Sequence, residues 1–351
     1  MDLKSWFIQK RNLIPIKLDY KSNYTKAILL IMFSVMAILL CVFFLLIQAA
    51  YSYSIYNLYA ADHIDAYLNK TSENILLQSS NDIEIAQNIV KWQRQEFALV
   101  SGRFKATDFL IRHISGDPGW YLFLNKGNCG EFAIVFEDMA NRTGMTSRNV
   151  RVDGFIHFNG GTENHAWSEV LINDSEWYVA DSGFNYSPPL NNYFGYSKSR
   201  LLGPVYVFEN GIQSEDRTVH YIPNTETIMI KSINDGEIVP NCTITIKMNH
   251  NGTSKKVVGT AIKLKTNESG LCFVTLGVYN NTSYTVKAID GMNQGNEEII
   301  SGNNTGYIEI EIQKPNPLAV IALLILIVIN IIIWKPMLRK KSDIKEKHKK
   351  L

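Results

Sequence analysis

Residues 27–50 form a run of 24 residues without a charged side chain, and this run limits most strongly what the chain can fold into. An α-helix rises about 1.5 Å per residue, so a run of this length can cross the hydrocarbon core of a bilayer. A cleavable signal peptide is the alternative, because Ala49 and Ala50 are small. The run is longer than a typical signal-peptide core and lacks a clear A-x-A ending, which favours an uncleaved transmembrane helix.

A second apolar run lies near the C-terminal end. It predicts a transmembrane helix over residues 317–334, with Asn330 as its one strongly polar residue. The outer flanks of the two runs are basic, with a net charge of +4 in residues 1–26 and of +6 in residues 335–351. Basic flanks stay in the cytoplasm. We therefore expect a two-pass protein of the cell membrane, embedded in the lipid bilayer, with two cytoplasmic basic tails and the middle of the chain extracytoplasmic.

The middle of the chain is acidic. Once the two tails are subtracted, it has a net charge of −8, so the overall pI near 8.2 reflects the tails. A nucleic-acid-binding domain would present a basic patch, and we expect no nucleic-acid partner. Asn-X-Ser/Thr triplets recur here, among them Asn251, Asn280 and Asn281, which weakly supports an extracellular glycoprotein.

The stretch Gly127-Asn128-Cys129-Gly130-Glu131 precedes an apolar-periodic segment that predicts a helix. Cys129 would lie at the N-terminus of this helix, where free backbone N–H groups and the helix dipole stabilise a thiolate. His165 and Asp181 follow after 36 and then 16 residues, at the edges of two strand-like segments, 166–172 and 177–180. Neighbouring strands would place them side by side, facing the helix of Cys129.

Cysteine, histidine and aspartate are the residue types that catalysis by a thiol nucleophile requires. The imidazole takes the thiol proton and later returns a proton to the leaving group. A carboxylate on the other ring nitrogen holds the imidazole in one orientation. We therefore interpret Cys129, His165 and Asp181 as the candidate catalytic residues.

Four short patterns in this region, taken in order, resemble those of the transglutaminase-like superfamily. They are G-N-C-G-E around Cys129, G-M-T-S-R-N-V at 144–150, H-A-W-S-E-V at 165–170 and W-Y-V-A-D at 177–181. The superfamily also contains peptide N-glycanases and predicted microbial proteases, and the resemblance covers about residues 81–184. It implies a papain-like α+β fold with Cys129 as nucleophile, His165 as general base and acid, and Asp181 as the residue that orients His165.

The oxyanion donors of such a site are only partly identifiable. The backbone N–H of Cys129 can supply one hydrogen bond to a developing oxyanion. Papain-like enzymes carry a glutamine about six residues before the nucleophile, where this chain has Phe123. Asn125, Asn128 and Trp120 remain candidates for the second donor.

We place the predicted catalytic domain at residues 81–222. One helical segment precedes this domain, and another forms its first part. Residues 51–80 have helical periodicity and are interpreted as a stalk or a helical subdomain. Residues 82–97 predict an amphipathic helix capped by Ser80 or Asn81. Arg148 and Glu169 are expected to pair and brace the core.

Residues 224–314 predict an all-β sandwich. Short β-branched segments alternate there with the turn dipeptides Asp235-Gly236, Asn251-Gly252, Ser269-Gly270 and Asp290-Gly291. The pattern is similar to immunoglobulin-like or carboxypeptidase-regulatory-like modules and predicts six or seven strands. Cys242 and Cys272 would form a disulfide contributing on the order of 3–4 kcal/mol in an oxidising exterior, or else remain two reduced core residues.

No zinc, calcium or phosphate-binding motif is visible, and four other histidines (His63, His113, His157 and His220) lack the spacing of metal ligands. No cofactor or metal is therefore expected. The predicted fold class is α+β, a papain/transglutaminase-like domain plus an all-β sandwich, flanked by two transmembrane helices.

These features together predict a membrane-anchored cysteine enzyme. It would act by thioester acyl transfer on peptide or isopeptide bonds of peptide or protein substrates at the cell surface, as a peptidase or amidase. A protein-crosslinking transglutaminase uses the same three residue types. A catalytically inert peptide-binding or adhesion module is the alternative from another class.

Overall fold

We describe the protein from a computed structural model, which covers residues 20–97, 114–183, 200–303 and 306–314. These residues fall into two compact units, the first containing residues 20–63 and 114–124 and the second residues 64–97 and 125 onwards. The predicted second transmembrane span at 317–334 and the C-terminal basic tail lie outside the described residues. The domain boundaries expected from the sequence stay a prediction.

The helices of the described residues precede most of the strands along the chain. They are α1 (Tyr20–Ile55), α2 (Ala61–Leu77), α3 (Asp82–Glu96), α4 (Pro118–Leu124), α5 (Cys129–Arg142) and α6 (Thr218–Tyr221), with a π-helical turn (Tyr56–Ala60) between α1 and α2.

Helix α1 contains the predicted transmembrane run at 27–50. From Ile28 the helix is long and apolar enough to cross a membrane, with a mean hydropathy of 3.1 in its most apolar window and none of that window buried. A signal sequence shares these features, so the helix fits both predicted alternatives. Downstream in the same unit, Trp120 of α4 contacts Tyr53 and Tyr56, each with ring centroids 5.4 Å apart.

Helix α3 confirms the amphipathic helix predicted at 82–97. Asn81 caps it, because its side chain accepts a hydrogen bond from the N–H of Glu84 at 3.0 Å. The Glu84 carboxylate in turn accepts from the N–H of Ser80 at 2.9 Å, so both candidate residues contribute to the start of the helix. The buried face of α3 ends in Trp92 and Gln93.

The six-stranded sheet of the second unit is antiparallel, with the order β3-β2-β1-β5-β6 and with β4 also paired to β1. Helix α5 packs on it, and Ser168 Oγ of β2 donates to the carbonyl of Ala133 in α5 at 3.1 Å. Strand β2 is longer than the predicted segment 166–172, because its first residues pair with β1 in a hairpin. The strands are β1 (Ser147–His157), β2 (Thr162–Ile172), β3 (Glu176–Ala180), β4 (Arg200–Leu202), β5 (Val205–Glu209) and β6 (Ile212–Asp216).

The region after residue 224 is β-rich, as predicted, and forms two sheets. One has the order β10-β9-β13-β14 with β11 paired to β9, and the other has the order β12-β7-β15 with β8 paired to β7. Buried side chains from both sheets form one hydrophobic cluster. The strands are β7 (Thr225–Asn234), β8 (Glu237–Ile238), β9 (Thr243–His250), β10 (Thr253–Val258), β11 (Leu264–Lys265), β12 (Leu271–Gly277), β13 (Thr282–Asp290), β14 (Asn293–Ile300) and β15 (Tyr307–Glu311).

Two of the predicted turn dipeptides form two-residue hairpin turns. Asp235 and Gly236 have φ angles of 51° and 81°, and Asn251 and Gly252 have angles of 46° and 78°. Positive φ at both positions is the type I′ pattern whose twist matches that of paired strands. Strand β14 was not predicted, because its sequence is rich in Asn, Gln and Glu rather than in β-branched residues.

Asp153 of β1 joins the six-stranded sheet to the β-rich region. Its buried carboxylate accepts hydrogen bonds from the N–H groups of Thr260 and Ala261, both at 2.6 Å, and of Ile262 at 3.2 Å. The next residue, Gly154, lies so close to β10 that a Cβ there would be 2.3 Å from the carbonyl oxygen of Lys256. The hydrophobic cluster of the β-rich region also includes residues of the six-stranded sheet, such as Tyr206 and Phe208.

Asp153→Ala is therefore expected to lower the free energy of unfolding by on the order of 3 kcal/mol, because the three N–H groups that face this buried carboxylate lose their acceptor. Asp153→Asn retains one acceptor oxygen and should cost clearly less. Chemical denaturation of the full-length chain in detergent measures both. Equal stability of Asp153→Ala and the wild type would contradict this role.

The structure corrects the predicted disulfide, since Cys242 and Cys272 are both free and buried. Cys272 lies in β12, whereas Cys242 directly precedes β9 of the other sheet. The thiol of Cys242 is directed at the carbonyl oxygen of Val239, 3.4 Å away. Burial raises the pKa of Cys272 to about 11, which keeps this thiol protonated. The predicted alternative, two reduced core residues, is the one that the structure has.

Candidate active site

Cys129 is the first residue of α5, as the sequence predicted. Asn128 caps the helix: its side-chain oxygen accepts from the N–H groups of Gly130 at 2.9 Å and of Glu131 at 3.4 Å. The Glu131 carboxylate accepts from the N–H of Asn128 at 2.8 Å, which completes a capping box. The cap leaves the N–H of Cys129 itself unused and holds the thiol at the positive end of the helix dipole.

His165 and Asp181 lie side by side, again as predicted. His165 is in β2 and Asp181 directly follows β3, and these two strands pair in antiparallel register. His165 Nε2 is 2.8 Å from Asp181 Oδ2, and the two side chains are only 4% and 2% exposed. The side chain of Cys129 is also hydrogen-bonded to His165. Since Nε2 faces the carboxylate, Nδ1 is the ring nitrogen available to the thiol of Cys129.

These contacts set the protonation state of the imidazole. Burial lowers the pKa of His165, but the charge and hydrogen bond of Asp181, together with the hydrogen bond and charge of Cys129, raise it to about 10. An imidazolium between a carboxylate and a thiol is therefore favoured at neutral pH. The rings of Trp167 and Phe155, with centroids 5.7 and 6.5 Å from that of His165, pack around it.

The turn after β3 brings Asp181 close to Cys129. The N–H of Gly183 donates to Asp181 Oδ1 at 3.1 Å and so fixes the second oxygen of the carboxylate. A Cβ on Gly183 would be 3.6 Å from the Cα of Cys129, which shows that this turn packs directly against the start of α5. The three candidate residues are therefore assembled by one helix, two paired strands and one turn.

Two residues of α3 that sequence reasoning missed hold this turn in place. Gln93 is fully buried, and its Nε2 donates to the carbonyl of Phe132 in α5 at 2.9 Å, while its Oε1 accepts from the hydroxyl of Ser182. Arg94 donates through Nη2 to the carbonyl of Asp181 at 2.9 Å. Both belong to a helix with an ordinary amphipathic pattern, so the only available signal was a polar residue on the apolar face.

A buried polar network braces the sheet behind His165. Arg148 Nε donates to Glu169 Oε2 at 2.6 Å, which confirms the predicted pair. Glu169 Oε1 accepts from the hydroxyl of Tyr221 at 2.7 Å, and that hydroxyl accepts from Trp167 Nε1 at 2.7 Å. Trp167 is 1% exposed, so it packs in the core.

The second oxyanion donor is not found among the described residues. Asn128 is occupied as the cap of α5. Trp120 and Phe123 pack with each other in the first unit, with ring centroids 5.6 Å apart. Asn125 lies in an exposed turn with a φ of 48°. Within the same described ranges, no group of three or more His, Cys, Asp or Glu side chains is arranged to hold a metal ion.

Comparisons with known proteins agree with this geometry at the level of the superfamily. The family model of the Transglutaminase-like superfamily matches residues 69–182, the part of the chain that contains all three candidate residues. No curated protein matches the chain.

Solved structures similar to this chain include three that are described as proteases or transglutaminases. A candidate cysteine protease from Cytophaga hutchinsonii is 16% identical over 36% of this chain and 40% of its own, with a TM-score of 0.27. A TGase is 15% identical over 40% of this chain and 38% of its own, with a TM-score of 0.29. A candidate protease from Parabacteroides distasonis is 11% identical over 69% of this chain and 51% of its own, with a TM-score of 0.30.

The chain thus spans about two fifths of the length of the first two of these proteins. At such low identities and TM-scores, the neighbours do not transfer an activity to this chain. The family model and the motifs agree on the same segment. Residues 69–182 are therefore similar to the Transglutaminase-like superfamily.

Proposed function

We propose that the protein is a membrane-anchored cysteine hydrolase that cleaves peptide or isopeptide bonds through a thioester intermediate. The observation that supports this most directly is the arrangement of Cys129 at the capped N-terminus of α5, facing an imidazole that is 2.8 Å from the Asp181 carboxylate. Cys129 would be the nucleophile, His165 the general base and acid, and Asp181 the residue that orients His165.

In the first step, the thiolate of Cys129 attacks the carbonyl carbon of the amide, and a C–S bond forms. The negative charge moves to the carbonyl oxygen, which the backbone N–H of Cys129 can stabilise. The C–N bond then breaks as His165 donates its proton to the departing nitrogen. The amine leaves, and the acyl group remains on sulfur as a thioester.

Formation of the thioester lowers the pKa of His165, which favours proton transfer to the leaving nitrogen. The charge of Cys129 is one cause of the raised pKa of His165, and acylation removes that charge. The imidazole therefore becomes a stronger acid as the thioester forms. Once neutral, it takes a proton from water, the C–O bond forms as the C–S bond breaks, and the imidazolium–thiolate pair is restored.

Transglutaminases share the first step, since a lysine amine can replace water as the acceptor. We propose hydrolysis because water reaches every such site, and a membrane-anchored enzyme encounters surface peptides as substrates. A transglutaminase would incorporate a fluorescent primary amine into a protein substrate, whereas a hydrolase would release new amino and carboxyl termini.

Alkylation of Cys129 by iodoacetamide tests the proposed thiolate. With the full-length chain in detergent at pH 7, we expect the wild type to react on the order of tenfold faster than His165→Ala, because the imidazolium stabilises the ionised sulfur. Equal rates in the two proteins would contradict the proposal and favour an inert scaffold.

We also propose that both termini are cytoplasmic and the domains between the spans extracytoplasmic, on the basis of the basic flanks. Protease added to intact cells should then remove the middle of the chain and leave tags at both termini protected. Permeabilised cells, in which both tags should be digested, provide the control. Digestion of either tag on sealed cells would contradict this topology.

A further inference from the structure

A groove with a volume of about 710 Å³ lies at one end of the β-rich region, separate from the Cys129 site. Three segments form it: the turn between β9 and β10, the loop between β12 and β13, and residues 301–303, which follow β14. Loops that a rigid sheet presents at one end are common positions for binding sites. The groove is therefore a candidate binding site.

The lining of the groove is polar but without formal charge. It contains amide, hydroxyl and imidazole side chains besides Val278 and Ile300, and no Lys, Arg, Asp or Glu is among the described residues that line it. An ionic ligand would leave its charge without a partner there. A lipid or other apolar ligand would bury the many amide groups without hydrogen bonds. The lining thus suits a neutral ligand with many hydrogen-bonding groups.

A chain of hydrogen bonds orders the base of the groove. Asn251 Nδ2 is hydrogen-bonded to His250 Nε2 at 3.0 Å, and His250 Nδ1 is hydrogen-bonded to Thr282 Oγ1 at 2.9 Å. That hydroxyl donates to the carbonyl oxygen of Asn280 at 3.2 Å. These bonds connect the β9–β10 turn to the β12–β13 loop, so the polar surface exists before any ligand binds.

Two amides at the rim remain available to a ligand. Within the described residues, the side chains of Asn280 and Asn281 make no hydrogen bond, and both are exposed. Each amide offers two donor hydrogens and an acceptor oxygen. The loop that carries both amides is held by the hydrogen bond between Thr282 and the carbonyl of Asn280, so the two amides are presented next to an ordered polar surface.

An exposed aromatic ring adjoins the groove. A second cavity of about 380 Å³ shares His250, Val278, Tyr279 and Asn280 with the groove and is also lined by Phe158. The Phe158 side chain is 66% exposed, although it belongs to the tight connection between β1 and β2. An exposed ring beside convergent amides offers an apolar face next to hydrogen-bonding groups.

We propose that this groove binds a neutral carbohydrate. A sugar ring has hydroxyls that both donate and accept hydrogen bonds, which match the amides of Asn280 and Asn281, and an apolar C–H face, which matches the ring of Phe158. A peptide that adds a strand would instead need an open sheet edge. The groove is lined by the ends of β9, β13 and β14 and by the residues that connect them, not by the length of an edge strand.

The test is binding of the purified full-length chain, produced in a host without N-glycosylation, to an array of neutral oligosaccharides of glucose, galactose, mannose, N-acetylglucosamine and N-acetylgalactosamine. We expect binding to at least one glycan family. Phe158→Ala should weaken it at least tenfold, and Asn280→Ala severalfold. Phe273→Ala is the matched control, because Phe273 is 57% exposed on β12 and does not line the groove.

Absence of binding to every neutral glycan would overturn the proposal, as would binding that Phe158→Ala and Asn280→Ala leave unchanged. Asn251, Asn280 and Asn281 also begin Asn-X-Ser/Thr triplets. A glycan found attached to any of them by mass spectrometry of the protein from its native source would occupy the groove and also overturn it. Cys129→Ala should bind as the wild type does, so this result is independent of the proposed enzymatic activity.

Discussion

Asp181→Asn is expected to lower the pKa of His165 well below its wild-type value of about 10. The carboxylate supplies both a charge and a hydrogen bond to the imidazolium, and without that charge only the hydrogen bond and charge of Cys129 and any hydrogen bond from the new amide oppose the effect of burial. The titration of His165 can be followed by NMR of the full-length chain labelled with ¹⁵N-histidine.

The same substitution should reduce acylation of Cys129 by on the order of 1,000-fold, by analogy with loss of the carboxylate in other triads. The acylation rate is measured with p-nitrophenyl acetate as a general acyl donor. Asp138→Asn is the matched control: Asp138 is on the same helix as Cys129 but pairs with Arg142 at 2.8 Å. An unchanged titration of His165 in Asp181→Asn would contradict the assigned role.

The raised pKa of His165 also makes a prediction about stability. A group whose pKa is higher in the folded state stabilises the fold fully below its unfolded value, and this contribution is lost as the pH rises through the folded value. For His165 the loss should therefore extend from about pH 6.5 to about pH 10. Over this interval the difference in unfolding free energy between the wild type and Asp181→Asn should shrink with increasing pH.

The sequence was sufficient to select Cys129, His165 and Asp181 as a candidate set because each is recognisable from its immediate neighbours. Cys129 follows a capping residue and begins an apolar period, and the other two stand next to segments of alternating strand pattern. Local sequence patterns of this kind predict the folded structure reliably, because helix caps and strand patterns depend on a few adjacent residues. The hairpin turns Asp235-Gly236 and Asn251-Gly252 were predictable for the same reason.

The features that the sequence did not reveal depend on contacts between distant segments. Asp153 meets its three N–H partners more than 100 residues along the chain, and its neighbours carry no mark of this. Strand β14 is held by pairing with β13, which overrides its weak intrinsic strand preference. Cys242 and Cys272 share a core without sharing a bond, and only the placement of the two sheets could decide that.

The role of Gln93 also depends on contacts between distant segments of the chain. Its substitution provides a second test of the site. Gln93→Met keeps the size of the side chain but removes the hydrogen bonds to Phe132 and Ser182. We expect a loss of about 1–3 kcal/mol in unfolding free energy, because the Ser182 hydroxyl is left buried without its partner. We also expect acylation of Cys129 to fall about tenfold, because the turn that carries Asp181 is no longer tied to α5.

A matched control separates these two effects. Thr218 is fully buried, and its hydroxyl accepts from the N–H of Val205 at 3.0 Å, away from the three candidate residues. Thr218→Val should cost a similar 1–3 kcal/mol and leave both the acylation rate and the titration of His165 unchanged. If Gln93→Met lowers stability alone, as Thr218→Val does, Gln93 is only a core residue. A lowered pKa of His165 in Gln93→Met, but not in Thr218→Val, would show that Gln93 positions Asp181 against the imidazole.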